Sequence, residues 1–309
     1  YEGPGCTVVH ITTSGPVGFR PFRLNEPDRL VVDLPGVWAA GSPPVEVHSR
    51  SVTQVRLAQF TEGTARAVLD LGEAWAHSWD VSPDGTGIML TVASSPVFGR
   101  TVVVDPGHGG TDPGAVKDGV YEKDINLDIA LRLRQLLEVS GARVVMTRND
   151  DSSVQLSDRS KMANEAAPDA IISIHCNSTT WDIFPSGTES YYFNTAPYSQ
   201  ELAALVHTCV LRELQLIDRK VRRGDYHMVR ETSAPAVLVE VGFMRNGVDL
   251  QKLRDPEFRQ KAATGMFKGL SMYLGSDMFR KWRVESTGTS GDWRQVGGNS
   301  SSRQGSGGR

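Results

Sequence analysis

The chain has 309 residues, 39% of them hydrophobic and 22% charged. That is enough for two domains and the balance of an ordinary folded protein. A formal net charge of −3 gives no general attraction to nucleic acid, and no apolar stretch approaches the ~18 residues that a membrane span needs. The first residues lack a charged segment leading into an apolar run, so no export signal is expected in this numbering.

Residues 1–95 read as a small all-β sandwich. Stretches rich in Val, Leu, Ile and Thr (6–12, 29–34, 52–59, 65–71 and 87–93) alternate with turn signals such as Ser14-Gly15-Pro16 and Pro83-Asp84-Gly85. Residues 96–100 form the joint. From 101 to 275 strands and helices alternate. Strand 101–105 leads to a helix over 122–139 with Gly141 at its end, then strand 142–147, helix 155–166, strands 170–175 and 188–193, helix 199–214, strand 236–241 and helix 256–273. This pattern predicts an α/β fold with a mostly parallel sheet and helices on both faces. The segment 276–309 is rich in Gly and Ser and is expected to be a disordered tail, with Trp282 and Trp293 as candidate docking residues.

In open α/β sheets, ligands bind beyond the carboxyl ends of the strands. His108 follows the first catalytic-domain strand in the run Asp105-Pro106-Gly107-His108-Gly109-Gly110, His175 ends the strand 170–175, and Glu240 lies near the end of the strand 236–241. Glu122 opens the helix after the first strand and can fold back over the same edge. Two His and one carboxylate form a recurring set of zinc-hydrolase ligands, with a further carboxylate serving as proton acceptor. The topology therefore assigns His108, Glu122 and His175 as ligands of one Zn2+ and Glu240 as general base, then acid. His227 is a candidate for a substrate groove, whereas His207, mid-helix, is expected to have a packing role.

Competing chemistries lack their motifs. Gly-x-Ser-x-Gly, His-Glu-x-x-His and the phosphate-binding Gly-x4-Gly-Lys-Ser/Thr are all absent. Cys6, Cys176 and Cys209 form no Cys-x-x-Cys, which excludes a thiolate zinc knuckle. The Cys176 thiol should turn away from the His175 imidazole because neighbours on a strand face opposite sides. The basic run Arg219-Lys220-Val221-Arg222-Arg223 reads as a solvated loop.

Taken together, the motifs resemble a known family. Val104-Asp105-Pro106-Gly107-His108-Gly109-Gly110-x-Asp112-x-Gly114, Glu122-Lys123-Asp124-x-Asn126-Leu127, Thr147-Arg148-x-Asp150, Leu156-x-x-Arg159-x-x-x-Ala163-Asn164, Ser173-Ile174-His175-x-Asn177, Gly187-x-Glu189-x-Tyr191-Tyr192 and Pro235-Ala236-Val237-Leu238-Val239-Glu240-Val241-Gly242-Phe243-x-x-Asn246 occur in the order of the zinc-dependent N-acetylmuramoyl-L-alanine amidases. That resemblance implies hydrolysis of the amide between N-acetylmuramic acid and L-alanine in peptidoglycan, in wall remodelling, cell separation or autolysis. It implies the same ligand set and the same catalytic Glu240. Asn177, His227 and Arg230 are the substrate-binding candidates. Cys176 departs from the usual Ala, and Met244-Arg245 from Leu-Ser.

The run Phe22 to Gly36, with Val55-Arg56-x-x-Gln59 and Arg66-x-Val68-Leu69-Asp70-Leu71, is similar to the AMIN domain, a sandwich implicated in localising amidases on the cell wall. The pairing implies a bacterial envelope protein, periplasmic or secreted, with peptidoglycan as partner and division or activator proteins as further candidates. Some relatives carry an inserted helix that blocks the zinc, and the interval 176–239 leaves no spare helix for one. The alternative reading is a non-catalytic wall-binding or adaptor protein; the presence of Glu240 argues against a pseudoenzyme.

Overall fold

The computed structural model describes residues 2–3, 5–179 and 185–287. Among the described residues, those up to Phe98 form one compact unit and those from Gly99 to Thr287 another.

The first unit contains two antiparallel sheets. One runs β1 (Glu2–Gly3), β2 (Cys6–Thr12), β9 (Gly87–Ala93), β8 (Ala76–Val81). The other runs β3 (Arg20–Asn25), β4 (Asp28–Pro35), β7 (Thr64–Leu71), β6 (Val52–Thr61), β5 (Val45–Glu46). Alternation along β7 buries Ala65, Ala67 and Leu69 and leaves Arg66, Val68 and Asp70 only partly covered. Those inward residues pack with Leu30, Val32 and Leu34 of β4 and with Ile11, Ile88, Leu90 and Val92 of the opposite sheet into one sandwich core. Two strands of normal length escaped the sequence pattern. β3 reads Arg-Pro-Phe-Arg-Leu-Asn and β8 reads Ala-His-Ser-Trp-Asp-Val, both too polar to show a β-branched run.

The second unit is built on a six-stranded sheet in the order β13 (Arg143–Met146), β10 (Thr101–Pro106), β14 (Ala170–Asn177), β17 (Ala236–Phe243), β15 (Thr188–Tyr192), β16 (Asp218–Arg223). Neighbours are parallel except β15 and β17, which pair antiparallel. All eight residues of β17 are buried, as expected where helices cover both faces. Helices α1 (Glu122–Val139), α3 (Ser199–Leu214) and α6 (Pro256–Leu274) pack together, while α2 (Leu156–Glu165) meets the single turn α4 (His227–Arg230). A short hairpin of β11 (Val116–Lys117) and β12 (Val120–Tyr121) feeds α1, and α5 (Gly247–Arg254) precedes α6. No helix among the described residues is long and apolar enough to cross a membrane.

Two expectations change. The basic run 219–223 is not a loop but the edge strand β16, whose charged side chains suit an edge that must not pair with another chain. Nor does the expected tail begin at 276, because Asp277–Thr287 forms α7. Phe279 and Trp282, three residues apart on one helical face, are buried. The Phe279 ring packs against Tyr273 and lies under the Arg100 guanidinium, 4.9 Å from its centroid, and Arg283 pairs with Asp169. Composition averaged over the whole tail hides this short apolar stripe. Trp293 lies outside the described residues.

Candidate metal centre

Strand register builds the site. In the parallel ladder Asp105 stands beside Ser173 and Pro106 beside Ile174, so His108 emerges just past the rim that His175 reaches. On the other side His175 is level with Glu240, and Glu240 is level with Glu189 of β15. Glu122, the first residue of α1, returns over this rim and is buried.

There His108 Nε2 lies 3.2 Å and His175 Nδ1 3.1 Å from Glu122 Oε1. One ligand atom from each of the three residues lies within 4.8 Å of the others, a span that a single ion can bridge. The second His108 nitrogen, Nδ1, is 2.7 Å from Asp112 Oδ2, the kind of carboxylate contact that fixes the tautomer and orientation of a ligating imidazole. Glu122 is anchored in turn by the backbone N–H groups of Ala115 and Cys176, which donate to Oε2 and Oε1.

Space around the donors is tight. A Cβ on Gly107 would sit 2.1 Å from His175 Cε1, and one on Gly114 2.6 Å from Glu122 Oε2 and 2.7 Å from His108 Cδ2. Gly107→Ala should therefore displace the His175 ring. Metal content after dialysis, measured by atomic emission, should show an affinity loss at least as large as the ~10–100-fold expected for loss of an outer-shell partner. Wild-type metal content in this variant would rule out the assigned role of His175.

The same three groups are electrostatically coupled. Burial disfavours charge on His108, but the Glu122 and Asp112 carboxylates outweigh it and raise the imidazole to about 9. Burial likewise works against charge on His175, and Glu122 and Glu240 overcome it. Glu122 is held well below the ordinary carboxylate range by both imidazoles, despite its burial. The shifts are reciprocal: the Glu122 carboxylate and the two imidazoles stabilise one another's charged forms.

Glu240 is different. Burial, with Glu122 and Glu189 nearby, pushes its carboxyl up to about 7 against the pull of His175. Its Oε2 is buried without a hydrogen-bond partner among the described residues. Glu189 beside it is fully engaged: Asn177 Nδ2 and Tyr191 OH donate to Oε2 and Arg219 Nε to Oε1. A cavity of about 760 Å³ opens onto these groups, lined by His108, Glu122, His175 and Glu240 and walled by Gln155, Leu156, Tyr226 and His227.

Of the substrate-binding candidates, Asn177 and His227 line this cavity, with Asn177 tied to Glu189 and His227 Nε2 3.0 Å from Ser160 Oγ. Arg230 is not among the lining residues. Its guanidinium instead pairs with Asp225 and Glu231 at the surface. His207 has the expected packing role, with Ser190 and Asp218 on its two nitrogens. Cys176 and Cys209 are free thiols, and burial raises the Cys176 thiol well above its ordinary value, which disfavours the reactive thiolate. Asp112, Asp105, Arg148 and Arg159 stood in motifs with no role attached. The available signal was a carboxylate directly following the apolar run Val102–Val104, which demands buried partners.

A two-imidazole, one-carboxylate cluster at the rim of an α/β sheet, with a second carboxylate beside it, matches the donor arrangement of metal-dependent hydrolases. A family model described as N-acetylmuramoyl-L-alanine amidase matches residues 102–272, more than half of the chain, and one described as AMIN domain matches residues 2–92. The chain belongs to the N-acetylmuramoyl-L-alanine amidase family, enzymes acting on peptidoglycan in cell-wall processes. It is 36% identical over 181 residues to the amidase LytC of Bacillus subtilis (strain 168), spanning 58% of this chain and 36% of LytC. The solved amidase of Clostridium difficile 630 is 34% identical with a TM-score of 0.56, covering 58% of this chain and 98% of that one. The CwlD amidase of Clostridioides difficile, solved in complex with the GerS lipoprotein, is 30% identical with a TM-score of 0.54, covering 58% and 100%.

Proposed function

We propose that this chain hydrolyses the amide between the lactyl group of N-acetylmuramic acid and L-alanine, using one Zn2+ held by His108, Glu122 and His175, with Glu240 as general base and then acid. The supporting observation is the convergence of the three donors next to a buried carboxylate with an unpartnered oxygen. When bound, the ion supplies Lewis-acid polarisation of the scissile carbonyl and an acidified water. Glu122, anchored by two backbone amides, holds the two imidazoles together, and Asp112 keeps His108 Nε2 turned inward. Glu240 accepts the proton of the attacking water and returns it to the departing alanine nitrogen; a carboxyl poised near 7 can do both at neutral pH. The cavity walls at Gln155–Leu156 and Tyr226–His227 orient the glycan–peptide junction.

Mass spectrometry of purified peptidoglycan digested with the protein alone tests the reading. Stem peptides beginning with L-alanine should be released, and a chelator should abolish the release. Failure to cut without an added protein would contradict self-sufficiency, the expectation drawn from an interval 176–239 whose described residues are taken up by β15, α3, β16 and α4.

The first unit is proposed to hold the enzyme at the wall outside the cytoplasm, where an envelope lipoprotein or division protein would be its protein partner. Deleting residues 1–95 should reduce sedimentation with sacculi while leaving turnover of a soluble muropeptide within about twofold, in line with the small effect expected away from a site. Equal loss of both would contradict a targeting role.

A further inference from the structure

His108 occupies the left-handed backbone region at φ 63°, uncommon for a residue with a Cβ, and is followed by Gly109 at 131° and Gly110 at 57°. Such a turn persists only when its surroundings fix it. Here the backbone carbonyls of Pro106, Gly107 and His108 all accept hydrogen bonds from two buried guanidinium groups. Arg159 donates from Nη1 to Pro106 O (2.7 Å) and from Nη2 to His108 O (2.5 Å). Arg148 donates from Nε to Pro106 O (3.0 Å) and from Nη2 to Gly107 O (2.9 Å).

The two arginines differ in what else they touch. Arg159 neutralises the buried Asp105, so it belongs to the core beneath the turn. Arg148 makes no ion pair among the described residues. Its remaining bonds go to the carbonyls of Asp150 and Lys123, both 2.9 Å away. Lys123 directly follows Glu122, so one planar fork joins the turn carrying His108 to the helix start carrying Glu122. Asn126 closes the same loop, lying 3.3 Å from both Gly107 O and Glu122 Oε1. A Cβ on Gly109 would lie 2.8 Å from Arg148 Nε, so the guanidinium fills the space under the turn. A buried cation beside a site proposed to hold a metal ion is electrostatically unfavourable. Its hydrogen bonds to carbonyls alone mark it as a spacer between two backbone segments.

We propose that Arg148 is a positioning residue that sets the separation of His108 and Glu122 and thereby the metal affinity of the centre. The proposal rests on the zinc reading above. Lysine keeps the charge but has no fork and cannot bridge Gly107 O and Lys123 O with the same geometry. Arg148→Lys and Arg148→Gln are compared with wild type in four readouts: thermal unfolding after chelation, zinc affinity by competition with a chromophoric chelator, the visible spectrum of the Co2+-loaded protein, and kcat and KM at saturating zinc.

The expected result is an unfolding midpoint close to wild type in at least the Lys variant, with zinc affinity lowered ~10–100-fold. The Co2+ bands should shift, and kcat should fall while KM changes little. Unchanged zinc affinity with an unchanged Co2+ spectrum would overturn the proposal, as would unfolding of both variants after chelation, which would make Arg148 a residue of the fold rather than of the centre. If the wild-type chain itself binds neither zinc nor cobalt, the metal reading fails and the proposal falls with it, a result distinct from the other two.

Discussion

Replacing Glu240 by Gln is expected to lower kcat by ~10²–10⁴, the usual share of a positioned acid–base group, while zinc stays bound. Gln keeps the shape of the side chain on β17 and removes only the proton-accepting oxygen. Glu240 is not among the three converging donors, so its loss should not release the ion. Because burial already holds this carboxyl up to about 7, its ionised form costs stability in the fold. The Gln variant should therefore melt no lower than wild type, which separates a catalytic effect from collapse. His175→Ala is the contrasting variant, expected to lose turnover together with the metal. Turnover of a soluble muropeptide and metal content, measured side by side, decide the matter. A Gln variant with normal kcat would remove Glu240 from the mechanism.

Asp105→Ala is expected to destabilise the second unit by about 3–5 kcal/mol, because it leaves the buried Arg159 guanidinium without its counter-charge. For a unit of this size that lowers the thermal midpoint on the order of 10 °C. Asp105 accepts from Thr147 Oγ1 (2.6 Å) and Arg159 Nη1 (2.9 Å) on one oxygen and from Ser173 Oγ (2.7 Å) on the other, tying β10 to β14, to the end of β13 and to α2. Burial alone would raise this carboxyl, but Arg159 and the two hydroxyls hold it below the ordinary 3.8. A carboxyl depressed in the folded state contributes its full stability above the unfolded value and loses it as pH falls through the folded one. The wild-type advantage over the Ala variant should thus be constant near neutrality and shrink below about pH 4. Thermal unfolding at several pH values checks both parts; equal midpoints at pH 7 would show that the network is dispensable.

The convergence of these four residues was legible because topology does most of the work. His108, His175 and Glu240 sit at or just past the carboxyl ends of parallel strands, and a run of Val, Ile and Leu reveals such strands. Glu122 was readable because a helix start must follow the Gly-rich turn. The supporting groups were not readable in the same way. Arg148 and Arg159 act on backbone carbonyls, which carry no side-chain pattern. Asp112 depends on a loop conformation with positive φ values. Arg230 is close to His227 in sequence, but its guanidinium is engaged by Asp225 and Glu231, partners that no motif announces. The strands β3, β8 and β16 were missed or misread because they are polar, and α7 because eleven structured residues adjoin a Gly/Ser-rich composition.

The parallel register of β14 against β17 has a consequence for assembly. His175 stands level with Glu240 only at this alignment, and sliding one strand by a single residue would present Cys176 to the rim and swing the imidazole to the opposite face. The groups that meet there come from positions 108, 122, 175 and 240, so no contiguous peptide contains the centre. An ion held by the proposed ligands would therefore be captured only once the sheet has come into alignment, and it would add its binding energy to that one arrangement.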